Sequence, residues 1–454
     1  MSKTKTSLTE GSIPKNLIKL ALPILGTNLL YSSYQLVDAF WVGRLGANAV
    51  AAVSISYPVN FLLISLSSGF AFAGAILVAQ YYGAKNIKMV NHVAIQCLLM
   101  VIMVSLVISA VAYWLSPDIL YWLGVEDEIF KEANLFQRVI FIGLVFNFGF
   151  ILFQSLLRGI GEVKIPLYIN AVSLGLNCVL DPLFIYGWGP IPAYGVAGAA
   201  YSTLFTLALS AIVGHYILFF GKTEFRLSLK GFKFDFPLLK KAFKLGAPSS
   251  IEISARALAL TLLTGVAAKF GTEVLAAYGV GSRLISMVVI VGLAMLKANS
   301  ALVGQNIGAK QLERAGKTSN LSALIAFATM TLIGIGYFIF AEPLVRAFLD
   351  ADESVVQMGV NFIRIVSLAF GFMGAQLSMV GAFRGSGNTV ESMIFTIIGV
   401  WVIQFPFAVI VSDFESFGHR GIWWSFPVAY VVPAIITFTW YQTGKWKHKK
   451  LIHS

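Results

Sequence analysis

The sequence predicts an all-α integral membrane protein: twelve transmembrane helices in two parallel six-helix lobes, related by a pseudo-two-fold axis along the membrane normal. Three observations lead there. Hydrophobic residues fill 57% of the 454 positions and charged residues only 12%, about half the roughly 25% charged share of a soluble domain. The hydrophobic residues come in long blocks, each near the roughly 20 residues that carry a helix across a bilayer. The chain also repeats itself at a spacing of about 225 positions, far beyond the 20–50 residues of a solenoid repeat.

The blocks fall in order along the chain. Residues 17–41, 53–79, 94–115, 133–157, 165–186 and 196–220 give six spans. Residues 245–268, 274–303, 319–341, 355–383, 393–411 and 422–441 give six more. Gly and Pro inside them are tolerated, because in a bilayer neighbouring helices re-satisfy the freed backbone groups. The first sixteen residues are polar and lead into a full-length span without a small-residue cleavage pattern, so the opening block reads as a membrane helix and not as a leader.

The repeat pairs landmark with landmark. Lys19, Leu20 and Pro23 fall on Lys244, Leu245 and Pro248; Gly46 falls on Gly271. Gln80 and Gly83-Ala84-Lys85 fall on Gln305 and Gly308-Ala309-Lys310, and Arg158-Gly159-x-Gly161 answers Arg384-Gly385-x-Gly387. The glycines of these loops suit tight turns at helix exits. The halves are 1–221 and 240–454, joined by a cytoplasmic amphipathic linker at 222–239 that alternates basic and apolar residues, as a stretch on the inner membrane surface would. An even number of spans starts both halves on one side, which makes the repeats parallel. Such duplicated halves face each other across a membrane cavity in secondary transporters.

The net charge is +12, yet its distribution excludes a nucleic-acid partner. Most Lys and Arg sit at the termini or in alternate loops, among them Lys3, Lys5, Lys85, Lys164, Lys230, Lys233, Lys240, Lys241, Lys310, Lys445 and Lys450. The intervening loops are acidic: Asp118, Glu126, Asp127, Glu128, Glu132, then Glu342, Asp350, Asp352 and Glu353. This is the positive-inside bias, and it puts both termini and the linker in the cytoplasm, in a plasma (inner) membrane facing anionic lipid. Cys97 and Cys178 stand alone in separate spans, with neither metal spacing nor a disulfide framework. His92, His215, His419, His448 and His453 are scattered, and no nucleophile elbow or phosphate loop occurs, so an enzyme and a bound cofactor are excluded.

Ionisable groups at membrane depth are costly, and each is a functional candidate. Asp38, Asp181 and Glu252 qualify. Asn177 lies four residues before Asp181, and Tyr34 and Tyr31 lie four and seven before Asp38, in each case on one helix face. Thr203 adds a hydroxyl early in the sixth span. Two carboxylates in a low-dielectric cavity do not both stay ionised cheaply: one holds a proton, or a cation sits between them. Asn177 and Thr203 supply neutral oxygens for a Na+ shell or hydrogen bonds that orient a protonated carboxyl, so H+ and Na+ both remain open. Glu252 and Arg256, four apart in the seventh span, have the spacing of a structural ion pair.

The loop motifs carry a resemblance. LVAQYYGAK at 77–85, LVGQNIGAK at 302–310, LRGIGE at 157–162 and FRGSGNT at 383–389 resemble the multidrug and toxic compound extrusion (MATE) transporters. So do Ala-Leu-Pro at 21–23, VDAFWVGRLG at 37–46, LDPLFIYG at 180–187 and GVAGAAYST at 195–203. The likeness runs through both halves and is nearest the archaeal and DNA-damage-inducible branch. It implies a monomeric secondary exporter that exchanges H+ or Na+ for organic, cationic compounds by alternating access. That branch uses first-, fifth- and sixth-span residues matching Asp38, Asn177, Asp181 and Thr203, with Tyr34 and Tyr31 as secondary candidates. Other branches place a second acid where this chain has Met373 and one near Arg256, so their C-lobe ion site does not transfer. The alternatives are a flippase of lipid-linked intermediates, which wants a strongly cationic cavity, and a membrane scaffold or channel, which leaves the duplication unexplained.

Overall fold

The computed structural model describes residues 8–221, 223–349, 352–449 and 451–452. Lys3, Lys5, Asp350, Lys450 and His453 from the charge and histidine readings lie outside the described residues, as does Lys222 at the head of the linker. The first half runs α1 Ile13–Gly43, α2 Ala47–Gly83, α3 Ile87–Trp122, α4 Asp127–Gly159, α5 Lys164–Tyr186 and α6 Val196–Phe220. The second runs α7 Phe236–Ala268, α8 Thr272–Gly308, α9 Leu312–Ile339, α10 Ala341–Arg346, α11 Glu353–Ser367, α12 Phe370–Ser386, α13 Thr389–Ile397, α14 Phe405–Ser412 and α15 Arg420–Gln442. A π-helical segment, Ile398–Gln404, joins α13 to α14, and a 3-10 turn, Lys445–His448, follows α15.

Ten of the described spans are long and apolar enough to cross a membrane: α2 to α9, α13 through α14, and α15. The pair α11 and α12 makes an eleventh, bent by 51°. The single predicted span 355–383 is thus a helix pair with a break at residues 368–369. No proline causes the break. The α11 end packs its Ser367 carbonyl against Gly334 of α9, and α12 then lies on α9 with Gly371 against Thr331. Helix α1 is the twelfth by length, at 31 residues. It falls short in apolarity because Asn28, Tyr31, Ser32, Ser33, Tyr34, Gln35 and Asp38 crowd its second half. A helix polar on one side buries that side in protein or faces it to water; acyl chains do not solvate it.

The chain forms two compact units, Gly26–Ser250, and Met1–Leu25 with Ile251–Ser454. Both boundaries fall inside helices, α1 and α7, which open the two sequence repeats. In the first unit α2, α4 and α6 pack face to face, with Leu77, Phe141, Phe153, Leu156 and Ala200 fully buried. In the second, Phe362 of α11 stacks on Trp423 of α15 with ring centroids 4.2 Å apart, and Tyr278 of α8 stacks on both. Offset aromatic stacks of this kind add about 0.5–1.5 kcal/mol per pair beyond their area burial.

The repeat is visible in the backbone. A side chain on Gly159 would come within 2.9 Å of the Ala75 carbonyl oxygen, and one on Gly385 would run into the Ser300 carbonyl oxygen. These are the same contact in each half. The Arg-Gly-x-Gly glycine lets α4 lie against α2, and its counterpart lets α12 lie against α8. The left-handed turn after the second helix of each half falls on Lys85 (φ 58°) and Lys310 (φ 60°). That corrects the expected glycine: Gly83 and Gly308 are still helical, and the lysine takes the strained conformation.

The linker is extended and strapped along α3. Asn91 exchanges hydrogen bonds with the Ser228 backbone (3.0 and 3.3 Å), Gln96 donates to the Lys233 carbonyl (2.6 Å), and His92 Nε2 lies 3.0 Å from Asp235 Oδ2. Phe225 and Leu227 are buried, whereas Leu229, Phe234 and Phe236 remain exposed. Asp235 also caps α7, accepting from the Leu238 N–H at 3.0 Å. The hydrogen bond from His92, and then the cap, hold its carboxyl below the usual carboxylate range.

Two tests follow from these contacts. Gly385→Ala should destabilise the fold by about 1–3 kcal/mol, since backbone cannot yield as a side-chain tip can; thermal unfolding in detergent reads it. Asp235→Ala should cost about 1 kcal/mol through the lost cap and speed hydrogen exchange at the start of α7. A carboxyl depressed in the fold stabilises above its unfolded pKa and loses that contribution as pH falls through the folded value. Wild-type exchange at α7 should therefore approach the Asp235→Ala rate only on acidification below the ordinary carboxylate range.

Candidate functional site

Three helices of the Gly26–Ser250 unit bring the acidic residues together. Helix α5 presents Asn177 and Asp181 one turn apart, both fully buried. Helix α6 is seated on it by Gly198, where any side chain would run into the Phe184 carbonyl. One turn beyond that contact, Ser202 donates to Asp181 Oδ1, which also accepts from Asn177 Nδ2 at 2.9 Å. Helix α1 brings Asp38, whose Oδ2 accepts from Thr203 Oγ1 at 3.3 Å. The Asp38 carboxyl also interacts electrostatically with Asp181 and Asn177. The four predicted residues Asp38, Asn177, Asp181 and Thr203 thus share one site.

The tyrosines divide. Tyr34 hydrogen-bonds Thr206 of α6, which is in turn anchored to the Ser202 carbonyl at 2.9 Å, so it clips α1 to α6 beside the acids. Tyr31 is 43% exposed and turns to Gln35, reaching Asp38 only electrostatically. Sequence reasoning missed Ser202 and Thr206. Their signal was present: two hydroxyls four apart on the helix that already held Thr203.

What distinguishes the site is what it lacks. Asp38 Oδ1, Asp181 Oδ2 and Asn177 Oδ1 are buried acceptor atoms that no donor reaches among the described residues. Buried polar atoms are ordinarily satisfied, and each exception asks for a reason. Here three exceptions fall on residues of one site, two of them on carboxylates. A proton shared between the acids would satisfy the two carboxyl oxygens, and a monovalent cation among the oxygens would satisfy all three.

The second unit treats its acid in the opposite way, and this corrects the predicted Glu252–Arg256 ion pair. Glu252 Oε1 is 3.0 Å from the Arg384 guanidinium and accepts from Thr396 at 2.9 Å; Oε2 accepts from Ser392 at 2.7 Å. Both Glu252 and Arg384 are nearly fully buried. Arg256 makes no hydrogen bond or ion pair among the described residues and senses Glu252 only at longer range. Residues four apart share a helix face, but Arg384, arriving from α12, meets the carboxylate head-on.

A family model described as MatE matches the chain twice, over residues 23–183 and 248–410. A probable multidrug resistance protein of Bacillus subtilis, YoeA, is 28% identical over 451 residues, covering 98% of this chain and 96% of its own. A solved transporter of the MOP superfamily from Pyrococcus furiosus, whose reverse-polarity binding pocket is said to suggest a different function, superposes with a TM-score of 0.92 at 25% identity over 99% of this chain and 100% of its own. A multidrug resistance MATE family transporter, also of the MOP superfamily and solved in an outward-facing conformation, gives 0.91 at 25% identity, covering 97% and 98%.

The two acidic clusters should respond oppositely to neutralisation. Glu252→Gln strands a buried guanidinium and should cost about 3–5 kcal/mol. Asp38→Asn relieves a carboxylate contact and should leave the thermal unfolding midpoint unchanged or raised. A comparable drop in both variants would make Asp38 a structural charge.

Proposed function

Because the chain belongs to the MatE family of membrane transporters, we propose that it is a secondary exporter of organic compounds, driven by inward movement of H+ or Na+ through the Asp38–Asp181 site. One observation carries the reading: three unpartnered buried oxygens within one site, two of them on carboxylates that act on each other electrostatically. A group that needs a cation to be stable, placed at membrane depth, binds one from whichever side reaches it.

The elements assign the work. Asn177 and Ser202 fix Asp181 Oδ1, leaving Oδ2 to the ion. Thr203 fixes Asp38 Oδ2 and leaves Oδ1. The ion therefore bridges α1 to α5 and α6, and its departure leaves two carboxylates repelling each other across that seam. If the cargo binds better with the seam open and the ion better with it closed, each lowers the other's affinity by the same factor, because they share one coupling free energy. Alternating access then needs no further energy source. The relative YoeA is named for multidrug resistance, and an outward-facing structure is known for a fold neighbour; both support export of varied organic compounds. With the coupling ion moving inward, exchange carries the cargo from the cytoplasm outward. A flippase for lipid-linked pyrophosphates is not favoured, since the exposed chemistry of the site is acidic.

The test is efflux of ethidium from energised membranes, with pH and sodium gradients imposed separately on inside-out vesicles. One gradient should drive transport and the other should not, which names the ion. Asp38→Asn and Asp181→Asn should each bring transport to background at normal expression, and Ser202→Ala should weaken its dependence on the driving ion. Full-rate transport in either Asn variant would remove the assignment.

A further inference from the structure

The geometry points to a second, oppositely charged recognition site in the Ile251–Ser454 part of the chain: Arg256 of α7 receives an oxyanion, a carboxylate or phosphate, carried by the transported compound. The inference rests on the transport reading above and adds the substrate class to it.

The local charge does not balance. Two guanidinium groups, Arg256 and Arg384, surround one carboxylate, Glu252. Arg384 at 3.0 Å and Thr396 at 2.9 Å hold its Oε1, and Ser392 at 2.7 Å holds its Oε2. Arg256 takes no part: it makes no hydrogen bond or ion pair among the described residues and keeps its whole positive charge. Unlike a Lys or Arg at a helix end, it lies in the middle of the 33-residue helix α7, too far from either end to snorkel freely. A guanidinium left so at membrane depth needs an anion to complete it.

The surroundings are built for one. Tyr430 of α15 lies within electrostatic range of Arg256 and carries a hydroxyl that can donate to the same anion. The span opposite α7 carries the π-helical turn Ile398–Gln404, a form that recurs at functional positions because it costs stability elsewhere. Trp401 within that turn donates its indole N–H to the Ala255 carbonyl at 3.0 Å, fixing the backbone next to Arg256. Gly399 of the same turn packs against Pro433 of α15, closing the wall behind it. A planar guanidinium fork on a backbone anchored at Ala255 matches the two oxygens of a carboxylate or phosphate, and repels a cation.

Efflux of two rhodamines that differ only in a free carboxyl group or its methyl ester tests this. The full-length protein is reconstituted in phosphatidylcholine vesicles under the driving gradient. Wild type should move the acid at least as fast as the ester. Arg256→Gln should lower the acid-to-ester rate ratio about tenfold or more with ester transport preserved; Arg256→Lys, which keeps charge but not the fork, should retain part of the preference. Both dyes falling together, or neither changing, overturns the inference. A lipid phosphorus that co-purifies with wild type and is lost in Arg256→Gln, with the dyes moving alike, also overturns it, by giving the anion to a headgroup. If Arg256→Gln does not yield folded protein, Tyr430→Phe carries the same comparison: a selective loss of acid transport supports the site, and an unchanged ratio opposes it. Failure of ester transport in wild type would instead count against the transport reading itself.

Discussion

Everything in this molecule is arranged around the cost of keeping charge away from water. An ion taken into a low-dielectric interior loses several kcal/mol of solvation even after relaxation, and recovers it only from a well-placed partner. The chain holds two buried acidic clusters and resolves the cost differently in each. Glu252 is given a guanidinium and two hydroxyls and becomes inert. Asp38 and Asp181 are given amide and hydroxyl donors for one oxygen each and nothing for the other. An internal cation would have completed them. Its omission leaves a position whose stability depends on what arrives from outside, and that dependence is the basis of the proposed coupling.

The duplication shows which features are scaffold and which are chemistry. The left-handed lysines at 85 and 310, and the glycines 159 and 385 against the carbonyls of 75 and 300, recur in both halves. They set helix exits and close approaches, which both halves need equally. The buried arginine recurs, as Arg158 and Arg384, but the carboxylates at membrane depth do not. Asp38 is answered by Leu263, buried among Val266, Ala277 and Leu284 in the second core. Glu252 is answered by Thr27. Duplication thus fixed the backbone and freed the side chains at membrane depth to diverge.

Much of this was legible before the structure, and what was not has a common cause. Helix number, parity and repeat follow from hydrophobic blocks and landmarks, which are local properties. Asn177 with Asp181 was readable for the same reason, since residues four apart share a face whatever the tertiary structure. Partners on other helices were not. Thr203 was read as a site residue, and it does bind Asp38, but Ser202 one position earlier meets Asp181; only the rotation of α6 about its axis decides between them. Glu252 was paired with Arg256 by local spacing, whereas Arg384, distant in sequence, reaches the carboxylate from α12 at 3.0 Å. The break between α11 and α12 stayed hidden because it arises from packing on α9, with no proline to announce it.

Helix α1 is where these constraints meet. Among the described helices of this length it is the one whose apolar stretch falls short of a span, it contains Pro23, and its two ends belong to different compact units. It is held to α5 and α6 by Val42, buried with Ile185, Val196 and Ala200, by the Thr203–Asp38 and Tyr34–Thr206 hydrogen bonds, and by the interaction between the two carboxyls. Of these only the last changes sign with occupancy: attractive across a shared proton or cation, repulsive without one. A helix already short of apolar surface loses little by moving its polar face from protein to water, and a proline interior to it removes one backbone hydrogen bond that would otherwise resist bending. Ion occupancy thus acts on the element least committed to its place. A pair of acids on two strongly apolar, glycine-locked helices such as α2 and α4 would bind a cation equally well and move nothing.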